Sequence, residues 1–332
     1  MMKALVLSNK GEPLLLKNEP VPSVGAGFAL VRIKAAAFNR RDWWIQQGQY
    51  AGLRYPIILG SDGAGIVEQV ADDECRAWVG KEVIINPALG WEEDSDFQPK
   101  VFSILGLPEN GAFAEYVSVP VVNLYEKPTY LSFEEASALP LGGLTAYRAV
   151  FRKAELCAGE SVLISGIGGG VATFALQWAV HAGAQVWVTS SSEVKLEMAR
   201  SLGAMGGVNY REDSWADQLQ AEAGGFDVII DSALGDGFAS FLDLANPGGR
   251  IVFFGGTAGN LPPLNGRKIF WKQLQIKGTT MGSAVDFRNM LAFAEKHRIK
   301  PVVDRVYPLE RGEEALSLMA SSSQFGKIVL QL

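Results

Sequence analysis

From Ser161 to Ser192 the chain runs SVLISGIGGGVATFALQWAVHAGAQVWVTSSS without one Asp, Glu, Lys or Arg. An uncharged run of this length exceeds the roughly 20 residues that span a bilayer, so a transmembrane helix is the first alternative to weigh. Gly166, Gly168, Gly169 and Gly170 argue against it, because glycines at a helix centre carry a large entropic cost and no second hydrophobic span lies nearby. A soluble reading predicts a buried strand at 162–165, a glycine turn, an apolar helix over 171–182 and a second buried strand at 185–189. Parallel strands covered by helices on both faces are continuous apolar runs, which accounts for the missing charge.

The strict dinucleotide fingerprint G-x-G-x-x-G fails here, because a third glycine would fall where Val171 stands. Spacing by threes works instead: Gly166 makes the tight turn, Gly169 lets the backbone approach a pyrophosphate, and small Ala172 lets the helix pack closely on the sheet. Helix N-terminal amides from Gly168 to Val171 then face the phosphates. NAD-binding units place Asp or Glu about 20 residues after the glycines, whereas this chain has Thr189, Ser190, Ser191 and Ser192. The nearest carboxylate, Glu193, forms a capping box with Ser190 for a helix over 193–202. Hydroxyls followed by Lys195 suit a 2′-phosphate, so NADP(H) is the expected cofactor; an ordinary solvated lysine is the alternative for Lys195.

The chain has 332 residues, enough for two domains with cores of their own. Its net charge of −6 and lack of a basic cluster argue against nucleic acid as a partner. No secretory signal is evident after Met1–Ser8, and the expected location is the cytoplasm, with no membrane attachment. Cys75 and Cys157 provide neither a disulfide framework nor a metal cluster. His181, on the apolar helix, and His297, at a helix end, are read as structural, and a Ser/His/Asp hydrolase is disfavoured because no G-x-S-x-G elbow occurs.

Before the uncharged unit the chain is β-rich, with strands at 2–7 and 28–34, a short helix after Asn39, and glycines 60, 63 and 65 marking tight bends. Residues 86–110 are irregular and carry the acidic run Glu92-Glu93-Asp94; Trp91, Phe97 and Phe102 there either cover a cleft or form a satellite apolar cluster. A helix interrupted by Pro140 and Gly142-Gly143 is predicted over 134–152. After the unit, strands at 207–210, 227–231, 250–254 and 275–279 alternate mostly with helices, giving a six-stranded doubly wound parallel sheet. Ser165–Gly170, Asp231-Ser232 and Gly255-Gly256-Thr257 then surround one crevice beyond the strand ends, and a last strand at 326–331 returns to the N-terminal domain.

Asn39-x-x-Asp42, GSDGAG at 60–65, GAFAEYV at 111–117, LPLGGLTAY at 139–147, the glycine turn at 166–172, SSSEVKLEMARSLGA at 190–204, VNYR at 208–211 and FGK at 325–327 occur in that order. Taken together they closely resemble the medium-chain dehydrogenase/reductase superfamily in its zinc-independent quinone oxidoreductase branch. The resemblance implies an α/β protein: a GroES-like, β-rich catalytic domain at 1–122 and 285–332, a Rossmann domain with a doubly wound parallel sheet at 123–284, and a cleft between them for the nicotinamide. It implies that Lys195 and Tyr210 contact the 2′-phosphate and that Thr145, Phe254, Gly255 and Met281 lie near the nicotinamide end. With Gly166, Gly168, Gly169, Gly170, Val171, Ser190, Ser191 and Ser232 they complete the expected cofactor set. Zinc-dependent relatives place ligands where this chain has Asn39, Ser61 and Leu141, none of them a good zinc donor, and the structural-zinc cysteines are missing from 86–110. Both zinc sites are therefore expected to be absent. A homodimer through the edge strand near 275–280 is also implied.

Hydride transfer to a small apolar quinone or conjugated enone needs no metal if hydrogen-bond donors stabilise the oxygen that gains charge. Asn39, Tyr50 and Ser61 are the candidate donors, although Asn39 also suits a helix cap and Tyr50 a rim aromatic. Asp42 is expected to orient its neighbours. Two alternatives stay open: alcohol or carbonyl redox, and an NADPH-binding protein without catalysis.

Overall fold

The structure, a computed structural model, describes residues 1–91 and 95–332, so the acidic run Glu92-Glu93-Asp94 lies outside the described residues. The chain divides into two compact units, one of Met1–Leu144 with Gly282–Leu332 and the other of Thr145–Met281.

The second unit holds a six-stranded parallel sheet in the order Gly206–Asn209, Gln185–Ser190, Ser161–Ile164, Phe226–Asp231, Ala245–Phe253 and Gln275–Gly278. Ser161–Ile164 is central because its side chains are apolar on both faces: Val162, Leu163 and Ile164 are buried, with Leu163 level with Trp187 on one side and Ile229 on the other. The following helix, Gly170–His181, is apolar nearly all round, buries Ala172 through Ala179, and stacks Phe174 on Trp178 with centroids 5.5 Å apart. Strand order reverses beside Ser161–Ile164, which opens the crevice at the carboxyl ends of the central strands.

In the first unit a seven-stranded sheet runs Leu124–Glu126, Glu82–Ile85, Asp62–Val70, Phe28–Ala37, Lys327–Gln331, Val303–Pro308, with Tyr116–Pro120 added on Phe28–Ala37. Its inner face and the three-stranded sheet of Leu15–Glu19, Met2–Leu7 and Ile57–Ile58 close over one core that includes Leu5, Ile33, Phe38, Phe113 and Ile328. Lys327–Gln331 lies antiparallel to Phe28–Ala37, with Val329 opposite Ala37, so Lys327 arrives beside the residues that follow Ala37.

Several expectations are corrected. The first unit extends to Leu144 rather than 122, because Leu124–Glu126 pairs with Glu82–Ile85 and Glu135 of the helix Phe133–Ala138 is salt-bridged to Lys300 at 2.8 Å. Its return segment starts at Gly282 rather than 285. The helix predicted over 134–152 is three pieces, Phe133–Ala138, Pro140–Tyr147 and a wider π-helical segment Arg148–Lys153; Pro140 begins the second piece, where a missing N–H costs little. Within 86–110, Ala88–Leu89 pairs with Ser103–Ile104; Trp91 is buried edge-on to Phe102 while Phe97 is exposed, so the three aromatics do not act together. The helix Gly266–Lys272 and the strand Val303–Pro308 escaped the sequence reading. No helix of the described residues is long and apolar enough to cross a membrane.

Candidate functional site

In the second unit the turn after Ser161–Ile164 is held by backbone bonds to the neighbouring strand end: Gly166 N–H donates to Thr189 Oγ1 (3.0 Å) and Ile167 N–H to the Thr189 carbonyl (2.8 Å). Gly166 has φ 63° and Gly168 φ 131°, conformations that favour glycine. Gly169 caps the helix with ordinary φ and open space about its Cα, so the crowded glycine is Gly168, where a Cβ would come 2.8 Å from Lys195 Cδ. The Lys195 chain thus lies over the turn at Gly168, and the first-turn residues Gly170 and Val171 are half-buried.

The cap of the next helix also differs from expectation. Ser192, not Ser190, is the N-cap and accepts from Lys195 N–H, while Ser190 Oγ accepts from Ser192 N–H and is buried. Glu193 therefore makes no capping box; its carboxylate accepts from Asn209 Nδ2 at 3.3 Å. Ser191 is half-buried and Tyr210 is exposed at the end of the adjacent strand, its N–H bonded to the Ser190 carbonyl. Ser190, Ser191, Lys195 and Tyr210 are thereby gathered at one sheet end, with no carboxylate on the strand tip.

Around the crevice, Asp231 accepts from Ser165 Oγ and from the amides of Ala233 (3.2 Å) and Leu234 (2.7 Å). Burial raises its carboxyl above the ordinary range against the pull of these donors. Ser232 Oγ stands 3.8 Å from where a Gly166 Cβ would be, and a Cβ on Gly255 would lie 2.6 Å from the Ser232 carbonyl oxygen, so the strand ends touch only because residue 255 is glycine. Phe254 N–H donates to the Asp231 carbonyl. Thr145 and Met281, both buried, meet through Oγ1 and Sδ at 3.9 Å.

The first unit holds a buried polar group. Asn39 heads the helix Arg40–Gln46, and its side chain also bonds beyond the helix: Nδ2 donates to Asp62 Oδ2 (2.9 Å) and Oδ1 accepts from Lys327 Nζ (2.6 Å). Lys327 Nζ also reaches Asp62 Oδ2 (2.8 Å), and Asp62 Oδ1 accepts from Leu141 N–H (2.8 Å). Lys327 is 3% exposed and Asp62 fully buried. Alongside, Arg41 Nη1 donates to Ser61 Oγ (2.6 Å) and the Leu105 carbonyl (2.9 Å), Nε reaches Tyr50 Oη (3.4 Å), and the guanidinium carbon lies 5.1 Å from the Tyr50 ring centroid. Asp42 Oδ2 accepts from Asn39 N–H (2.8 Å), whereas its Oδ1 is buried with no hydrogen-bond partner. Burial pushes the Asp42 carboxyl up to about 6, opposed by Arg41, the Asn39 amide and Lys327 and helped by Asp62.

Asn39, Tyr50 and Ser61 are thus brought together, but tied to three charged residues the sequence reading passed over: Arg41, Asp62 and Lys327. A signal existed, since each charge interrupts an apolar or glycine-rich stretch (NRRDWW, GSDGAG, FGKIVL) where a solvated surface is not expected. Asn39, Ser61 and Leu141 do not fit a zinc ion: amide and hydroxyl are poor donors, Leu141 offers none, and the Lys327 ammonium between Asn39 and Asp62 opposes a dication. Among the described residues no group of three or more His, Cys, Asp or Glu side chains is placed to hold a metal.

Residues 25–129 match the Alcohol dehydrogenase GroES-like domain and residues 170–296 the Zinc-binding dehydrogenase family. A zinc-type alcohol dehydrogenase-like protein, YogA, of Leptosphaeria maculans is 35% identical over 96% of this chain and 95% of its own. The quinone oxidoreductase of Rattus norvegicus is 30% identical over 100% of this chain and 98% of its own. A crystal structure of an NAD-dependent alcohol dehydrogenase superposes with a TM-score of 0.92 at 37% identity, covering 100% of both chains. With its GroES-like part, its parallel nucleotide-binding sheet and relatives matched end to end, the chain belongs to the medium-chain dehydrogenase/reductase superfamily and is an oxidoreductase.

Proposed function

We propose that the protein is a zinc-independent, NADPH-dependent reductase that transfers hydride to a quinone or to a carbon–carbon double bond conjugated to a carbonyl. The observation that supports this reading is the buried Lys327–Asn39–Asp62 group, in which an ammonium is bound to Asn39, one of the three positions the resemblance matches to zinc ligands in zinc-dependent relatives. A conjugated acceptor suits such a site. Bound NADPH would supply the hydride and be left as NADP⁺, the acceptor would take it at a carbon conjugated to its carbonyl, the electron pair would settle on the carbonyl oxygen, and water would supply the proton that completes the two-electron reduction. The protein's task is to hold the reactants and to stabilise the oxygen that gains charge.

NADPH rather than NADH is supported by the hydroxyls of Ser190 and Ser191, Lys195 lying over Gly168, exposed Tyr210, and the missing carboxylate at the strand end. The alcohol dehydrogenase named among the similar structures keeps a second reading open, NAD-dependent alcohol oxidation. Titration of both nucleotides, followed by NADPH oxidation with a panel of quinones, enals and simple aldehydes, separates them. Tight NADPH binding with quinone or enal turnover supports the first reading; NADH preference with alcohol turnover replaces it; binding without turnover on any acceptor removes both.

We further propose a cytoplasmic homodimer joined through Gln275–Gly278. This strand is one of the sheet's two edges, and the neighbouring helix Gly266–Lys272 exposes Phe270 and Trp271 by 67% and 82%.

A further inference from the structure

The side chains expected to bind the acceptor oxygen do not stand as separate donors. Ser61 is fully buried and its Oγ accepts from Arg41 Nη1; Tyr50 Oη accepts from Arg41 Nε; and the Leu105 carbonyl shares Nη1. Three oxygens thus fix the plane of one guanidinium. Arg41 is only 7% exposed, yet its Nη2 makes no hydrogen bond among the described residues and is not one of the buried orphan atoms, so Nη2 is the end that remains open. A guanidinium anchored on two of its nitrogens and open at the third presents a full positive charge and fixed N–H directions to an oxygen ligand, with little rotamer entropy left to lose.

We propose that Arg41 binds the acceptor oxygen on which negative charge appears, presenting Nη2 to it, and so takes conjugated carbonyls whose reduced form is a phenolate or enolate. This rests on the reductase reading above and names the residue that stabilises the oxyanion in it. Ser61 and Tyr50 are positioning residues that hold the guanidinium, and Asn39 is spent on Lys327 and Asp62. The role of Arg41 needs no metal: its charge would stabilise the oxygen that takes up the electron pair once bound NADPH had supplied the hydride, and water would supply the proton.

The test is equilibrium binding of para-nitrophenolate, an oxyanion probe, and of para-nitroanisole, the same ring without the ionised oxygen, to the full chain and its variants. Arg41→Met is expected to weaken para-nitrophenolate binding about tenfold to a hundredfold, the loss of one charge-assisted hydrogen bond, while para-nitroanisole and NADPH bind as before. Ser61→Ala loses part of the same preference. If Arg41→Met does not fold, Arg41→Lys, which keeps the charge but not the fork, is expected to lose the preference several-fold. Wild type without a preference for the phenolate, or either Arg41 variant with the full preference, overturns the proposal. Turnover is scored separately: a phenolate preference that depends on Arg41 in a protein that reduces no quinone or enal removes the reductase reading and leaves the oxyanion site.

Discussion

The glycine turn of the nucleotide-binding unit and the buried polar group of the other unit are built on opposite plans. In the turn, function resides in backbone conformation: Gly166 and Gly168 at positive φ, amides at a helix start, and strand ends in contact through Gly255, all but the last within a few residues of one another. In the polar group, the proposed function rests on side chains drawn from 39, 41, 50, 61, 62 and 327 and on the carbonyl of Leu105, joined by hydrogen bonds up to 288 positions apart. The backbone site depends on glycine at a few positions and holds no buried ion pair, whereas a buried ionic site is strongly destabilised when one charge is removed.

That contrast sets the order of expected effects. Lys327→Met leaves the Asp62 carboxylate buried without its cation and should lower stability by about 3–5 kcal/mol in denaturant unfolding, partly recovered by adding Asp62→Asn. A variant within 1 kcal/mol of wild type, by the scale of an exposed ion pair, would remove the distinction between the two regions.

Asp42 gives the next largest effect, and its sign is opposite to that of a salt-bridged carboxylate. Its folded value of about 6 lies above the ordinary 3.8, so the native state binds the proton more tightly and this group's contribution is lost as pH rises through that window. Relative to Asp42→Asn, wild type should therefore gain stability on going from neutral pH to below pH 4, by up to about 3 kcal/mol at about 1.4 kcal/mol per pH unit of displacement. A pH-independent difference between the two proteins in urea unfolding would mean that the buried carboxylate is relieved by contacts other than those described.

In the nucleotide unit the expected effects are smaller and fall on binding. Lys195→Ala should cost about 2 kcal/mol of NADPH affinity, leave NADH affinity unchanged and move the melting temperature little, as read by fluorescence titration. Gly166→Ala should destabilise by about 1 kcal/mol from the left-handed backbone alone, since among the described residues the new methyl would meet Ser232 Oγ at an ordinary 3.8 Å.

The same contrast explains what was legible in the sequence. The uncharged stretch led to the central strand, the turn, the helix and the sheet because those elements follow from local periodicity, and their observed bounds lie within a residue or two of expectation. The order of motifs carried the resemblance that anticipated the two-part fold. Asn39, Tyr50 and Ser61 were visible as polar residues at bends, but that they are tied to Arg41, Asp62 and Lys327 was not, because the pairing is made by Lys327–Gln331 returning against Phe28–Ala37 from the far end of the chain. The crowding of Gly168 was hidden for a similar reason: spacing counts glycines, while the long side chain of Lys195 that crowds it comes from another helix.

The most direct test of the central claim, hydride transfer to a conjugated acceptor without a metal, is NADPH oxidation with a quinone by protein dialysed against a strong chelator and checked for residual metal by elemental analysis. The expected rate equals that of untreated protein and is unmoved by added zinc. Loss of turnover on chelation, restored by zinc, would contradict it.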